Sequence, residues 1–448
     1  MKKKFLLNSL FLSILFALIC ISFTASSCKK ENNGMTGEPD DTPVAKCDST
    51  SYPLVMAHGF LASGDTYARQ ALRFTSNGFC SNRIFTFDWN SVAGGNAGDQ
   101  LDAFINDVLI KTGSTKVYLA GHSAGSNLGY TYCSTSNGVQ KVAAYIHLAG
   151  TSRNGPAGPQ QEIPTLNIYS LADSIVSGGD IANATNIVYQ NLDHYQVATS
   201  IETFGHIYEF IYKKRPTKDI VSESGNIQIA GKALTLGENQ PMSGAAINVF
   251  LLDSLSGLRV SSTPVFTTIA DQKGLWGPFE GKSNVYYEFE IKGASSTDRT
   301  IHYYRRPFGR SDYFVYLRGL PPPASLPGIL LSGLPKDDTQ AVVGIFSSNQ
   351  AVIHGRDELS FENTILSTAT HSPPRASNIA FFLYDANNNK NSDGTVIPNF
   401  AFVPFLTGVD THISAESEQS LRATMNGQTL RFKNWKSDSE GIVVLVFD

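Results

Sequence analysis

Between residues 52 and 215, short apolar runs alternate with stretches whose apolar residues recur every three or four positions. Residues 53–57 (Pro53-Leu54-Val55-Met56-Ala57) are apolar without a break, which predicts a strand buried on both faces of a parallel sheet. Residues 66–76 fit a helix stopped by Asn77-Gly78. Residues 83–89, rich in Phe and Ile, predict a second strand. From Asp99 onward, Leu101, Phe104, Ile105, Val108 and Leu109 keep helical spacing, and Gly113 supplies the stop. A strand over 116–120 runs into a helix over 126–134. Strands over 141–148, 165–171 and 186–191 follow. The last helix of this region carries a stripe of Ile201, Phe204, Ile207, Tyr208 and Ile211, with Thr199-x-x-Glu202 as its expected capping box. Such alternation predicts an α/β fold, a mostly parallel sheet with helices on both faces.

At about Pro216 the pattern changes. Helical periodicity stops, and short alternating strands separated by Gly, Pro and Asn turns take over. Two all-β, sandwich-like units are expected, over 216–321 and 322–448, joined at Pro321-Pro322-Pro323. In the first, Gly231-Lys232-Ala233, residues 241–249 and Asp271-Gln272-Lys273-Gly274 resemble the transthyretin-like or carboxypeptidase-regulatory β-sandwich. Residues 385–394, Asp385-Ala386-Asn387-Asn388-Asn389 through Asp393-Gly394, have a calcium-loop composition. Their spacing departs from the EF-hand pattern and the closing Glu is missing, so a solvated hairpin turn is expected there. No repeat of 20 to 50 residues stands out.

The 448-residue length exceeds what one core holds. The net charge of −4 is spread over interspersed signs, with no long basic run, which excludes nucleic acid as a partner. The N-terminus changes the picture more. Lys2, Lys3 and Lys4 precede an apolar core over 5–23, and Ala25-Ser26-Ser27-Cys28 follows. This resembles the bacterial lipoprotein signal, with Ala25 where that signal usually has Leu. It implies acylation of Cys28, a signal peptide over 1–27 and a flexible tether over 28–51. Lys29-Lys30-Glu31 resembles a Bacteroidetes surface-export tag. An outer-membrane lipoprotein on the cell surface or periplasmic face is expected. Cys47, Cys80 and Cys133 then allow one disulfide and one leftover thiol, the pairing left open. None has metal-ligand spacing.

The candidate chemistry centres on Lys116-Val117-Tyr118-Leu119-Ala120-Gly121-His122-Ser123-Ala124-Gly125. Gly-x-Ser-x-Gly between a strand and a helix predicts a tight turn holding Ser123 at the C-terminal sheet edge. A serine hydroxyl needs a base, and the base needs a group that fixes its tautomer. Asp173 and His194 both follow predicted strands, which places them at that same edge. Asp180, Asp193, His147 and His206 compete less well: Asp180 is in a loop, Asp193 adjoins His194 and faces away, His147 is inside a strand and His206 is on a helix. His58-Gly59-Phe60 follows the first strand, where the amide of Phe60 (or Leu61) and that of Ala124 would receive a developing oxyanion. Phe60, Leu61 and Tyr67 read equally as acyl-pocket wall or as core.

Residues 52–212 resemble the small class 2 bacterial lipases, especially the lidless Bacillus type. The resemblance is carried by residues 53–60, the Gly-His-Ser-Ala-Gly turn, residues 169–176 and the His194 stretch. It implies a Ser123–His194–Asp173 triad, carboxylic-ester hydrolysis on apolar acyl groups and no metal or organic cofactor. It also implies an open site, because only residues 151–164 separate two late strands. Rival readings on the same chain are a polyhydroxyalkanoate depolymerase, an amidase or peptidase, and a surface-binding lipoprotein with a vestigial hydrolase domain. The expected partners are a lipid or ester substrate, a membrane through the N-terminal anchor, and a polymer or glycan surface through the β-units.

Overall fold

The computed structural model describes residues 47–415 and 420–448. The expected signal peptide, Cys28 and most of the tether lie outside the described residues. The tether's last residues are tied down: Cys47 is bonded to Cys80, and the Asp48 amide donates to the Gly78 carbonyl at 2.8 Å. Cys133 is free and buried.

Six parallel strands form the first sheet: β1 (Leu54–Ala57), β2 (Ile84–Phe87), β3 (Val117–His122), β4 (Val142–Leu148), β5 (Thr165–Ser170) and β6 (Thr185–Tyr189), in the order β2-β1-β3-β4-β5-β6. Side chains alternate across a strand. Leu54 and Met56 therefore join Ala120 and Ile146 on one face, where Phe74 of α1 (Ala68–Ser76) packs. Val55 and Ala57 join Leu119 and Tyr145 on the other, against Leu101 and Ile105 of α2 (Ala97–Thr112) and Cys133 of α3 (Ala124–Cys133). Burial on both faces explains the unbroken apolar run of β1. Gly113 closes α2 at φ 65°, as its position predicts.

After the short helices α4 (Ser136–Lys141) and α5 (Gln196–Thr199), α6 (Ile201–Tyr212) adds Phe204 and Ile207 to the Leu54 face. The α6 cap differs from the expected box by one residue. Ser200 accepts from the Thr203 amide at 3.2 Å, while the Thr199 hydroxyl is bonded to the Tyr195 and Asn349 carbonyls.

The remaining chain is mostly β, and one of its three sheets crosses the expected boundary at 321. An eight-stranded sheet runs, in spatial order, through Leu406–Asp410, Ala380–Tyr384, Val343–Ser347, Ile442–Phe447, Ile301–Arg305, Tyr287–Lys292, Ala246–Leu251 and Phe266–Ile269. Ile442–Phe447 pairs in parallel with Ile301–Arg305 on one side and Val343–Ser347 on the other. One apolar cluster holds Ile247 and Phe289 together with Phe382 and Phe400. Residues 385–394 are likewise no hairpin turn, because the strand before them pairs in parallel with Leu406–Asp410.

This β-module is welded to the α/β layer. Leu234, Phe314 and Tyr316 complete the core cluster on the Leu54 face. Arg318 pairs with both oxygens of Asp65, and Lys232 pairs with Asp88, which also accepts from the Tyr316 hydroxyl at 2.9 Å.

Candidate active site

Ser123 sits on the turn from β3 into α3 with φ 54° and ψ −119°. For a residue with a Cβ this conformation is strained, costing about 1–3 kcal/mol. The surroundings hold it there. The Ser123 amide donates to the Leu148 carbonyl of β4 at 2.9 Å, and the Ser126 hydroxyl donates to the Ser123 carbonyl at 2.6 Å. The flanking glycines are forced by crowding: a Cβ on Gly121 would lie 2.3 Å from the Gly125 carbonyl oxygen, and one on Gly125 the same distance from that of Ala57.

Asp173 follows β5, and His194 follows β6. Their side chains meet: Nδ1 of His194 lies 2.7 Å from Oδ2 of Asp173, with both side chains buried. The other Asp173 oxygen accepts from the amides of Ile175 at 2.8 Å and Val176 at 3.0 Å. Burial pushes this carboxyl up, but the His194 bond and charge and the two amides outweigh it, so Asp173 is held below its ordinary pKa. An ionised Asp173 accepts only, so Nδ1 carries the proton and Nε2 presents a lone pair. That Nε2 is buried and has no hydrogen-bond partner, the Ser123 hydroxyl included.

His122, beside Ser123, supports this arrangement. Its Nε2 donates to the His194 carbonyl at 2.9 Å, and the two rings lie 4.7 Å apart. Burial, then the neighbouring His194, lowers its pKa to about 3, so it adds no charge here.

His58 sits on the turn after β1. Its Nδ1 donates to the Gly59 carbonyl at 2.8 Å, and its Nε2 accepts from the Trp89 amide and the Asn239 side chain, each at 3.2 Å. Burial lowers its pKa and keeps it neutral. Of the two candidate amides after it, that of Leu61 donates to Ser91 Oγ at 3.0 Å. The Phe60 amide forms no hydrogen bond among the described residues. Ala124 opens α3, where an amide has no carbonyl partner within the helix.

The competing residues are engaged elsewhere. Asp180 accepts from the Tyr169 hydroxyl at 3.0 Å. Asp193 accepts from the amides of Tyr195 and Gln196, each at 2.9 Å, and pairs with Arg356 at 2.8 Å. Nε2 of His147 lies 3.0 Å from the Thr151 carbonyl. His206 is half-buried on α6, against Tyr189.

A cavity of about 60 Å³ lies beside the site, lined by Phe60, Leu61, Phe346, Ile379, Phe405 and Arg318 among others. Phe60 and Leu61 thus form cavity wall, whereas Tyr67 is core and donates to the Ala57 carbonyl at 2.9 Å. No helix separates β4 from β5, yet Phe405, at φ 79°, stacks on His194 with ring centroids 6.0 Å apart. Phe405, Asn239 and Arg356 come from the β-module, and no local sequence signal marks them. His122 lay within the Gly-x-Ser-x-Gly motif itself.

Among the described residues, Glu288, Glu290 and His302 converge as metal ligands do. Arg259 already supplies the cation there, 2.9 Å from Glu288 and 2.8 Å from Glu290.

A six-stranded parallel sheet, helices on both faces and a strand–Ser–helix turn at its C-terminal edge define an α/β hydrolase fold. A family model described as a lipase C-terminal domain matches residues 225–321, and a second, described only as a C-terminal domain, matches residues 346–448. The chain is similar to a solved CIB-like hydrolase from Thermoplasma acidophilum, at 14% identity over 37% of this chain and 89% of that one, with a TM-score of 0.30. It is also similar to Bacillus licheniformis lipase BlEst2 in its propeptide form, at 15% identity over 47% of this chain and 59% of that one, with a TM-score of 0.31. Aspergillus fumigatus lipase B is similar at 13% identity over 40% of this chain and 57% of that one, with a TM-score of 0.28.

Proposed function

We propose that this chain is a carboxylic-ester hydrolase of the lipase or esterase type, with Ser123 as nucleophile, His194 as base and Asp173 as the orienting acid. The buried 2.7 Å contact between His194 and Asp173, beside a serine on a strained turn, carries the reading. Ser123 Oγ attacks the ester carbonyl while Nε2 of His194 takes its proton. The oxyanion forms against the amides of Phe60 and Ala124. His194 then protonates the departing alkoxide, leaving an acyl-serine. Water, deprotonated by the same nitrogen, releases the carboxylic acid and restores the hydroxyl. Asp173 stays ionised throughout and stabilises the imidazolium. The mostly apolar cavity under Phe60 and Phe405 supports an apolar acyl group as the substrate part held there. The N-terminal pattern of residues 1–28 supports a lipid-anchored, exported protein at the outer membrane, with substrate reached at a lipid surface.

Ser123→Ala is expected to abolish p-nitrophenyl butyrate hydrolysis with an unchanged circular dichroism spectrum. Turnover retained in that variant would overturn the assignment. A fluorophosphonate probe is expected to label the parent chain at Ser123 and leave the variant unlabelled.

A further inference from the structure

Residues 385–394 connect two parallel neighbours of the eight-stranded sheet, and their backbone coils around the Asp385 carboxylate. The amides of Asn389 and Lys390 donate to its two oxygens at 3.2 and 2.7 Å. Lys390 takes φ 62°, the left-handed conformation that the sixth position of a calcium loop requires. Asp385, Asn387, Asn389 and Asp393 occupy the first, third, fifth and ninth positions of such a loop. The closing position, Val396, has no oxygen to offer.

The fold brings another carboxylate there. Val396 bridges to Val409, the Asp410 amide donates to the Thr395 carbonyl at 2.9 Å, and the Gly394 amide donates to the Asp410 carbonyl at 2.9 Å. The Asp410 side chain therefore faces the loop, where its Oδ2 accepts from Asn387 at 3.1 Å. Its Oδ1 has no hydrogen-bond partner, although Asp410 is only 3% exposed. An orphaned oxygen on a buried carboxylate is unfavourable, and a cation would satisfy it. His412 Nδ1, 3.4 Å from Asp385, is the nearest basic group.

We propose that Asp385, Asn387, Asn389, Asp393 and Asp410 form a calcium site, with Asp410 standing in from a neighbouring strand for the missing closing ligand. The donors are hard oxygens: three carboxylates and two side-chain amides. The Asn387 and Asn389 amide groups both bond Asp393 Oδ2, at 2.9 and 2.8 Å, so both side chains already point between the carboxylates. Their oxygens accept from the amides of Asn389 and Asn391 at 3.0 and 2.8 Å, and each keeps a second lone pair for the ion. The ion would relieve the repulsion among Asp385, Asp393 and Asp410 and fasten the loop to Leu406–Asp410, the strand that Phe405 immediately precedes.

The test uses the full chain freed of metal by chelator and dialysis. Titration calorimetry with CaCl2 is expected to show one site per chain, with a Kd of about 10⁻⁵–10⁻³ M, and millimolar CaCl2 is expected to raise the melting temperature. Asp410→Asn and, separately, the exposed Asp393→Asn are each expected to weaken calcium binding about tenfold or more. MgCl2 is expected to bind more weakly. Absence of heat and of any melting shift in the parent chain would overturn the proposal, even if the Asp410 variant failed to fold. Undiminished binding in the Asp393 variant, or magnesium binding as tightly as calcium, would overturn it equally.

Discussion

The ring of Phe405 lies over the imidazole of His194, with the two planes 22° apart. One residue belongs to the all-β module and the other to the hydrolase layer, so the proposed active site is assembled from both. Phe405 also lines the neighbouring cavity, so its ring narrows the space next to His194. Phe405→Ala is expected to widen that space and favour longer acyl chains. A few buried methylenes, at about 0.8 kcal/mol each, shift selectivity about tenfold or more. The kcat/KM ratio of p-nitrophenyl octanoate to p-nitrophenyl acetate is expected to rise accordingly, and an unchanged ratio would show that Phe405 is no wall.

Arg356 reaches across the same seam to Asp193, the residue before His194. Asp193 is 3% exposed, and its carboxylate holds the amides of Tyr195, Gln196 and Ala351. Removing Arg356 leaves a buried charge uncompensated. Arg356→Ala is expected to cost about 2 kcal/mol, less than a fully buried pair because the arginine is partly in water. Because the lost support sits next to His194, kcat is expected to fall more than KM changes. Urea melts and steady-state kinetics check the two effects separately.

Leu234, Phe314 and Tyr316 fill part of the core cluster that also holds Leu54, Phe74 and Phe204. The half-buried Asp65 and the largely buried side chain of Asp88 depend on Arg318 and Lys232 from the same module. A truncated chain of residues 47–215 is therefore expected to be inactive and to aggregate, because it exposes an apolar face and strands two carboxylates. Size-exclusion chromatography alongside the full chain checks this, and an active monomer would contradict it.

Asp312 is buried, and desolvation raises its pKa from 3.8 to about 6 despite Arg305 and the Phe314 amide. The folded state thus binds this proton more tightly than the unfolded state. No cost arises below the unfolded pKa; stability falls as pH rises between the two values, and the full cost stands above the folded one. Asp312→Asn is expected to stabilise the protein on the order of 3 kcal/mol at about pH 8 and not at all near about pH 3. Urea melts across that range provide the measurement.

The sheet and its serine turn were legible because their causes are local. β1 is apolar throughout because both its faces are covered, and Gly121 and Gly125 are fixed by contacts within one strand–turn–helix. Asp173 and His194 could be placed because each follows a recognisable strand. The β-module was legible only as short strands and turns. Alternation along Ile301–Arg305 and Ile442–Phe447 does not say that they pair, nor that one sheet crosses the 321 boundary. The α6 cap slipped by one residue because Thr199 and Ser200 are both good caps. The choice falls to Asn349, whose carbonyl takes the Thr199 hydroxyl. Phe405 and Arg356 act only through contacts with residues far upstream, where sequence spacing carries no information.

The position of Ile442–Phe447 fixes an order of events during synthesis. The eight-stranded sheet stays split into two halves until that stretch leaves the ribosome, since it alone bridges them. The nascent first layer can meet Leu234, Phe314 and Tyr316 earlier, but its contacts with Arg356 and Phe405 come only from the later half. A stop shortly before residue 442 removes the strand that joins the two halves of the sheet, and with it the support of the half that carries Phe405.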